Sequence, residues 1–410
     1  MIKKALIFLI FSMCSLYSSG QNNYSDYNFL NLQTNYFQYT DSSLYYNRIM
    51  KKFSSLCKNQ KETISILHLG DSHLQAGFYS NEIRQNFQNY FTTDTLANLG
   101  MVFPYSAAKT NNPPDYKTNY AGTWETCKAT TKTKNCHTGL TGISVFTKDT
   151  SASITISLRD YYPLKNHAFN YAKLLCSYPD SLYSVKITPK GTIHSDSSSY
   201  EIEFDQLTDF IHIQVKKNQP EDSTHTFKLD GIILQNSPHS ITYHEIGVNG
   251  AKASSYLQSK FFSRQLKSIK PDWVIISLGT NEAYNENFNT STFNHHLTTL
   301  IQTIQAHTDS SWILLNTPGD AMLRRKHRNP NNKKARQTII EVAKQTQSAY
   351  WDFFHVMGAS ESIDAWHIHN LTATDKLHLN KKGYLLKGNL FFDAFLHNYL
   401  DYLNHKNQNN

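Results

Sequence analysis

The chain has 410 residues, enough for one large domain or two to three ordinary ones. It is 39% hydrophobic and 13% aromatic, with 25 Tyr and 23 Phe, so it can bury a sizeable core, which excludes an intrinsically disordered chain. The formal net charge of +8 is carried without a dense Lys/Arg stripe interleaved with aromatics, so nucleic acid is not an expected partner; the charge suits attraction to cell-wall or acidic glycans, or simply solubility.

The N-terminus reads MIKKALIFLIFSMCSLYSSGQNN. Lys3 and Lys4 precede an apolar stretch of 12 residues, ALIFLIFSMCSL, and the small residues Ser18, Ser19 and Gly20 follow it. That is the make-up of a secretory signal over residues 1–20, too short to span a bilayer, with cleavage expected near Gly20. Met13 is too large for the small residue that a lipoprotein site places ahead of its cysteine, here Cys14. Cleavage removes Lys3 and Lys4 and takes the charge from +8 to +6. No later run approaches 18 apolar residues, so the mature chain is expected to be exported, periplasmic or extracellular, with no integral membrane segment. Cys57, Cys127, Cys136 and Cys176 remain, and in an oxidising compartment Cys127 and Cys136 are the natural pair, closing a short hairpin-like loop. No CxxC is present, so a structural zinc is not expected.

Residues 21–54 form a polar lead-in that ends in a helix over SSLYYNRIMKKFSSL. TISILHL, residues 63–69, reads as a buried strand, and residues 74–91 as a helix with Leu74, Phe78, Ile83, Phe87 and Phe91 close to helical spacing. The texture then changes. SITISL, YSVKITP, YEIEFD, FIHIQVKK and HTFKLDGIIL alternate with period two between Asp, Ser, Pro and Gly breaks, which predicts antiparallel strands in a sandwich over 103–237. From about 240 the runs become continuously apolar: DWVIISLGT, SWILLNTP and, more weakly, AYWDFF. Such strands suit a sheet covered on both faces. NNKKARQTIIEVAKQTQ and the closing KKGYLLKGNLFFDAFLHNYLDYL read as helices. An α/β domain, residues 55–102 and 238–410, is therefore expected to be interrupted by a β-rich insertion.

Between the first strand and its helix stands GDSH, with Ser72 at the turn. A sharp strand-to-helix junction exposes a hydroxyl at the carboxyl edge of the sheet and aims helix amides at any oxyanion formed there. Taken alone, a Ser before a helix is more often a cap. A nucleophile needs a base, and the base an orienting group. TDKLHLNKKGY offers Asp375 and His378, although one DxxH among 19 His means little by itself. ISLGTNEA puts Asn281 just after a buried strand, where its amide could donate to an oxyanion. HEIGVNGA puts Gly247 and Gly250 on a loop, where a backbone N–H could do the same.

In that order, GDS, GVNGA, GTNE and DxxH resemble the four blocks of the SGNH hydrolases, the GDSL-like esterases, over roughly 60–100 and 240–400. The match is closer still to periplasmic peptidoglycan O-acetylesterases, which carry a carbohydrate-module-like β-domain between the first two blocks. GDSH departs from the wider GDSL pattern but suits that subgroup. The resemblance implies a three-layer α/β/α domain with a mainly parallel sheet, interrupted by a β-sandwich-like insertion. It implies Ser72 as nucleophile, His378 as general base and acid, Asp375 as orienter, and an oxyanion hole of the Ser72 N–H, the Gly250 N–H and the Asn281 side chain. The partner it implies is an acetylated glycan polymer, most simply peptidoglycan, and it implies no cofactor.

Three rivals stand beside that reading. A metallo-phosphoesterase could draw ligands from Asp71, His73, His367 and His369, but no Gly-Asn-His-Asp run occurs. A glycan-binding protein could carry an inert hydrolase domain. An esterase of other polysaccharides, lipids or aryl esters would keep the same mechanism. Trp366, His367 and His369 lie close before Asp375, as site-lining or packing residues.

Overall fold

A computed structural model of the chain describes residues 24–39, 44–58, 60–131, 137–161, 165–176, 182–219, 225–236 and 240–408. The expected signal segment 1–20 and Cys136 lie outside the described residues. Cys127 is disulfide-bonded, whereas Cys57 and Cys176 are thiols.

A five-stranded sheet, parallel throughout, forms the centre. Its strands are β1 (Ile64–Gly70), β2 (Ile241–Gly247), β3 (Trp273–Ser277), β4 (Trp312–Asn316) and β5 (Ala349–Trp351), in the spatial order β2-β1-β3-β4-β5. Every residue of β1 is buried, because both faces of the sheet are covered. Ile64 and Ile66 join one core with Phe87 and Phe91 of the helix Phe78–Phe91 and with Phe391 and Phe395 of the C-terminal helix Lys381–Gln408. Leu67 and Leu69 join the opposite core with Leu297 of the helix Thr290–His307 and Ile339 of the helix Asn331–Gln345. The result is three layers. After β1 the next two sheet strands lie on either side of it, so the carboxyl end of β1 is the switch point at which open α/β sheets bind ligands.

The β-rich stretch forms two antiparallel sheets, one of seven strands and one of four. Leu174 and Ile202 from the first and Ile154 and Ile213 from the second share one apolar cluster, as the inner faces of a sandwich do. That cluster is continuous with the Leu67 side of the central sheet. The insertion is also pinned by charge: Arg84 on the helix Phe78–Phe91 reaches Asp115 at 3.1 Å and Glu245 of β2 at 3.8 Å, all three buried.

Two expectations are corrected. The helix expected over 74–91 is two helices, Ser72–Gln75 and Phe78–Phe91, separated at Gly77. Gly247 is not on a loop; it is the last residue of β2, in register with Gly70. A Cβ there would come within 2.2 Å of the Gln75 backbone nitrogen, so the close approach of β2 to the Ser72–Gln75 helix requires glycine.

Candidate active site

β1 ends at Gly70, whose carbonyl accepts a hydrogen bond from the Tyr256 hydroxyl at 2.6 Å. The chain turns at once into the helix Ser72–Gln75, and Asp71 caps it by accepting from the His73 N–H at 3.0 Å. Ser72 is thereby held partly exposed at the carboxyl edge of the sheet. The turn before the C-terminal helix brings His378 to it across 306 residues, with Ser72 Oγ 2.9 Å from His378 Nε2. His378 Nδ1 lies 2.7 Å from Asp375 Oδ2, and Asp375 Oδ1 accepts from the His378 and Leu377 amides at 2.9 and 3.0 Å. Burial pushes the Asp375 carboxyl upward, but these hydrogen bonds outweigh it and hold the pKa below the ordinary carboxylate value. An ionised Asp375 can only accept from Nδ1, which leaves Nε2 as the unprotonated ring nitrogen of a neutral imidazole, facing Ser72 Oγ.

His73 packs its ring on His378 with centroids 5.0 Å apart and bonds the Tyr384 hydroxyl at 3.0 Å. Burial, reinforced by the charges of His378 and Lys387, pushes His73 well below the usual histidine range, so a neutral ring lies against His378.

The expected oxyanion donors meet at the same edge of the sheet. Neither the Ser72 N–H nor the Gly250 N–H has a hydrogen-bond acceptor among the described residues. Gly250 has φ 80°, a left-handed conformation that glycine adopts freely, and nothing would touch a Cβ there; it faces open space. Asn281, in the helix Thr280–Ala283 that follows β3, donates to Asp71 Oδ2 at 3.2 Å and to the Ala251 carbonyl at 3.0 Å.

Sequence reasoning missed several residues around this centre. Gln75 accepts from the Asn249 N–H at 2.8 Å and donates to Asn111 Oδ1 and Thr110 Oγ1, both at 3.0 Å. Asn249 donates to the same Asn111 oxygen at 3.0 Å. A segment within the expected insertion thus buttresses the loop that carries Gly250. Behind Ser72 lies Lys387, only 6% exposed, with its ammonium 4.5 Å from the Tyr79 ring centroid and 4.3 Å from that of Phe353. Burial lowers its pKa to about 8 against the pull of Asp71, and burial raises Asp71 to about 6. The two line a cavity of about 30 Å³, room for a water or two. The signal for Lys387 was a cation inside the apolar stripe of Tyr384, Gly388 and Phe391 on the C-terminal helix.

Other candidates fall elsewhere. Trp366 is fully buried and donates to the Met357 carbonyl at 2.9 Å, so it packs rather than lines the site. His367 bonds Thr372 at 2.7 Å and His369 bonds the Ala365 carbonyl at 2.8 Å. Among the described residues no three His, Cys, Asp or Glu side chains gather as a metal-binding group, so Asp71, His73, His367 and His369 do not converge.

Residues 232–386 match the GDSL-like Lipase/Acylhydrolase family. The matched stretch holds Gly250, Asn281, Asp375 and His378; Ser72 lies ahead of it because the insertion separates the first block from the rest. A solved peptidoglycan O-acetylesterase superposes with a TM-score of 0.72 at 19% identity, over 91% of this chain and 98% of its own. A lipase/acylhydrolase from Enterococcus faecalis has a TM-score of 0.31 at 23% identity, over 38% of this chain and 75% of its own. An acetylxylan esterase from Geobacillus stearothermophilus, solved as a catalytic mutant, has a TM-score of 0.29 at 16% identity, over 39% and 73%. No curated protein matches the sequence.

Proposed function

We propose that this chain, of which residues 232–386 match the GDSL-like Lipase/Acylhydrolase family, is a carboxylic ester hydrolase that removes O-acetyl groups from a cell-wall glycan, peptidoglycan in the first place. The observation that carries the chemistry is the unbroken relay from Ser72 Oγ to His378 Nε2 and from His378 Nδ1 to Asp375 Oδ2.

The reaction runs in two steps. His378 Nε2 takes the Ser72 proton as Oγ attacks the acetyl carbonyl. Negative charge on the carbonyl oxygen is met by the free N–H groups of Ser72 and Gly250 and by Asn281, which turns one N–H from Asp71 or Ala251 toward it. Collapse breaks the ester bond; the imidazolium protonates the leaving sugar oxygen, and the acetyl group stays on Ser72. Water, deprotonated by His378, attacks that acetyl carbonyl, and acetate leaves as Ser72 regains its proton. Asp375 stays ionised throughout and stabilises the charged imidazole.

The choice of glycan is supported by the fold shared with the peptidoglycan O-acetylesterase over 91% of this chain, insertion included. The signal segment in the sequence supports export to the compartment where such a glycan is found. Acetate release from O-acetylated peptidoglycan and from acetylated xylan, wild type beside Ser72→Ala, tests both parts. Release from peptidoglycan that Ser72→Ala lowers by at least about 10⁴-fold is expected. Release from xylan alone would keep the mechanism and change the substrate, and release by a folded Ser72→Ala would overturn the mechanism.

A further inference from the structure

At the other end of the central sheet lies a groove of about 750 Å³, within the range of small-ligand sites. Thr63 leads into β1 and Asp272 into β3, and both line it, so it opens at the amino ends of the strands, roughly 20 Å from Ser72 by the length of β1. Its other wall is the insertion, through Lys173 and Gln235.

The charge along it is lopsided. Lys52 is bound to Asp272 at 3.0 Å and Lys173 to Glu201 at 2.8 Å. Arg48, Lys267 and Lys270 have no carboxylate partner among the described residues, and Arg48 is steadied by a hydrogen bond to Ser310. Against those three cations stands one carboxylate of the groove without an ion pair among the described residues, Asp309.

The second feature is His244 of β2, which lines the groove although it is 97% buried, being 3% exposed. Neither of its ring nitrogens has a hydrogen-bond partner among the described residues, and Nδ1 is wholly shielded from solvent. Burial, aided by the Arg84 charge, lowers its pKa to about 3, so the ring is neutral at pH 7, with one donor and one acceptor. The tautomer protonated at Nε2 places its donor where the groove can reach it. A buried polar ring without partners is a cost that an occupant would remove.

We propose that this groove is a second, non-catalytic site for an anionic polysaccharide, with Arg48, Lys267 and Lys270 holding its carboxylate or phosphate groups and His244 holding a sugar oxygen. The distance from Ser72 makes it a tether for another stretch of polymer rather than part of the acetyl site. It does not depend on the esterase chemistry.

The test is equilibrium binding of the full chain to polygalacturonate, to a polyol-phosphate polymer and to neutral dextran, at low and high salt. The variants are the triple Arg48→Gln, Lys267→Gln, Lys270→Gln and the single His244→Asn. Wild type should bind an anionic polymer but not dextran, and lose affinity as salt rises. The triple variant, altered only at exposed positions, should bind about tenfold more weakly and hydrolyse a small aryl acetate as wild type does. Tighter binding of polygalacturonate would assign carboxylates as the natural ligand groups, and tighter binding of the other polymer phosphates. A folded His244→Asn should also bind more weakly. Equal binding by wild type and the triple variant, no binding of either anionic polymer, or preferred binding of a single-stranded oligonucleotide would overturn the proposal.

Discussion

Asn281 answers to two partners, the Asp71 carboxylate next to Ser72 and the Ala251 carbonyl next to Gly250, and both hold its amide at the carboxyl edge of the sheet. Asn281→Ala should lower kcat by about 10²–10³-fold with little change in KM, the signature of a donor used chiefly in the transition state. An unchanged kcat would remove Asn281 from the oxyanion hole. Its neighbour Glu282 tells a different story. Burial raises that carboxyl to about 7, although the Ala253 N–H donates to it at 2.8 Å. Because the folded pKa lies above the unfolded one, ionisation is harder in the folded state; the cost is absent below about pH 4 and fully present above about pH 7. Glu282→Gln keeps the acceptor and removes the charge. Its stability relative to wild type should therefore rise with pH between those limits, by up to about 3 kcal/mol, as read from denaturant unfolding at pH 5 and pH 9. A difference independent of pH would contradict a buried, titrating Glu282.

Elements differ in how plainly they could be read. β1, β3 and β4 are legible as apolar runs because both of their faces are buried. β2 is equally buried but was not legible, since Thr242, His244 and Glu245 interrupt its run. Two of these polar groups are matched by partners far away in sequence: Thr242 accepts from Asn98 at 2.9 Å, and Glu245 meets Ser80 and Arg84. No local pattern reports such partners. The same holds at the site. GDSH, GTNE and DxxH could be recognised because each is contiguous, whereas Thr110 and Asn111 reach Gln75 and Asn249 only through tertiary folding. Asn111→Ala removes two of the bonds that brace the Gly250 loop, so kcat/KM should fall about tenfold while the unfolding midpoint moves little. A wild-type kcat/KM would mean that the loop holds its shape without the insertion.

The whole molecule is held as one piece by apolar and ionic means. The core under Leu67 and Leu69 continues into both sheets of the insertion. Arg84 stands between Asp115 and Glu245, and burial pushes the Glu245 carboxyl above its ordinary range despite the pull of Arg84. Arg84→Met would leave two carboxyls buried without their cation. Its loss should cost about 3–5 kcal/mol, more at pH 8 than at pH 5, where Glu245 is protonated. Denaturant unfolding at both pH values checks this, and a cost below about 1 kcal/mol would show that the insertion docks by apolar packing alone. That architecture gives the proposed enzyme a fixed frame, with the reacting serine at one end of the sheet and the cationic groove at the other.

The most direct measurement of the central claim is the site of covalent capture. Wild-type protein treated with a fluorophosphonate, digested and mapped by mass spectrometry, should carry the adduct on Ser72, with acetate release lost in step with labelling and Asp375→Asn labelling far more slowly. An adduct on another residue, or full acetate release from protein labelled at Ser72, would contradict Ser72 as the nucleophile and with it the relay through His378 and Asp375.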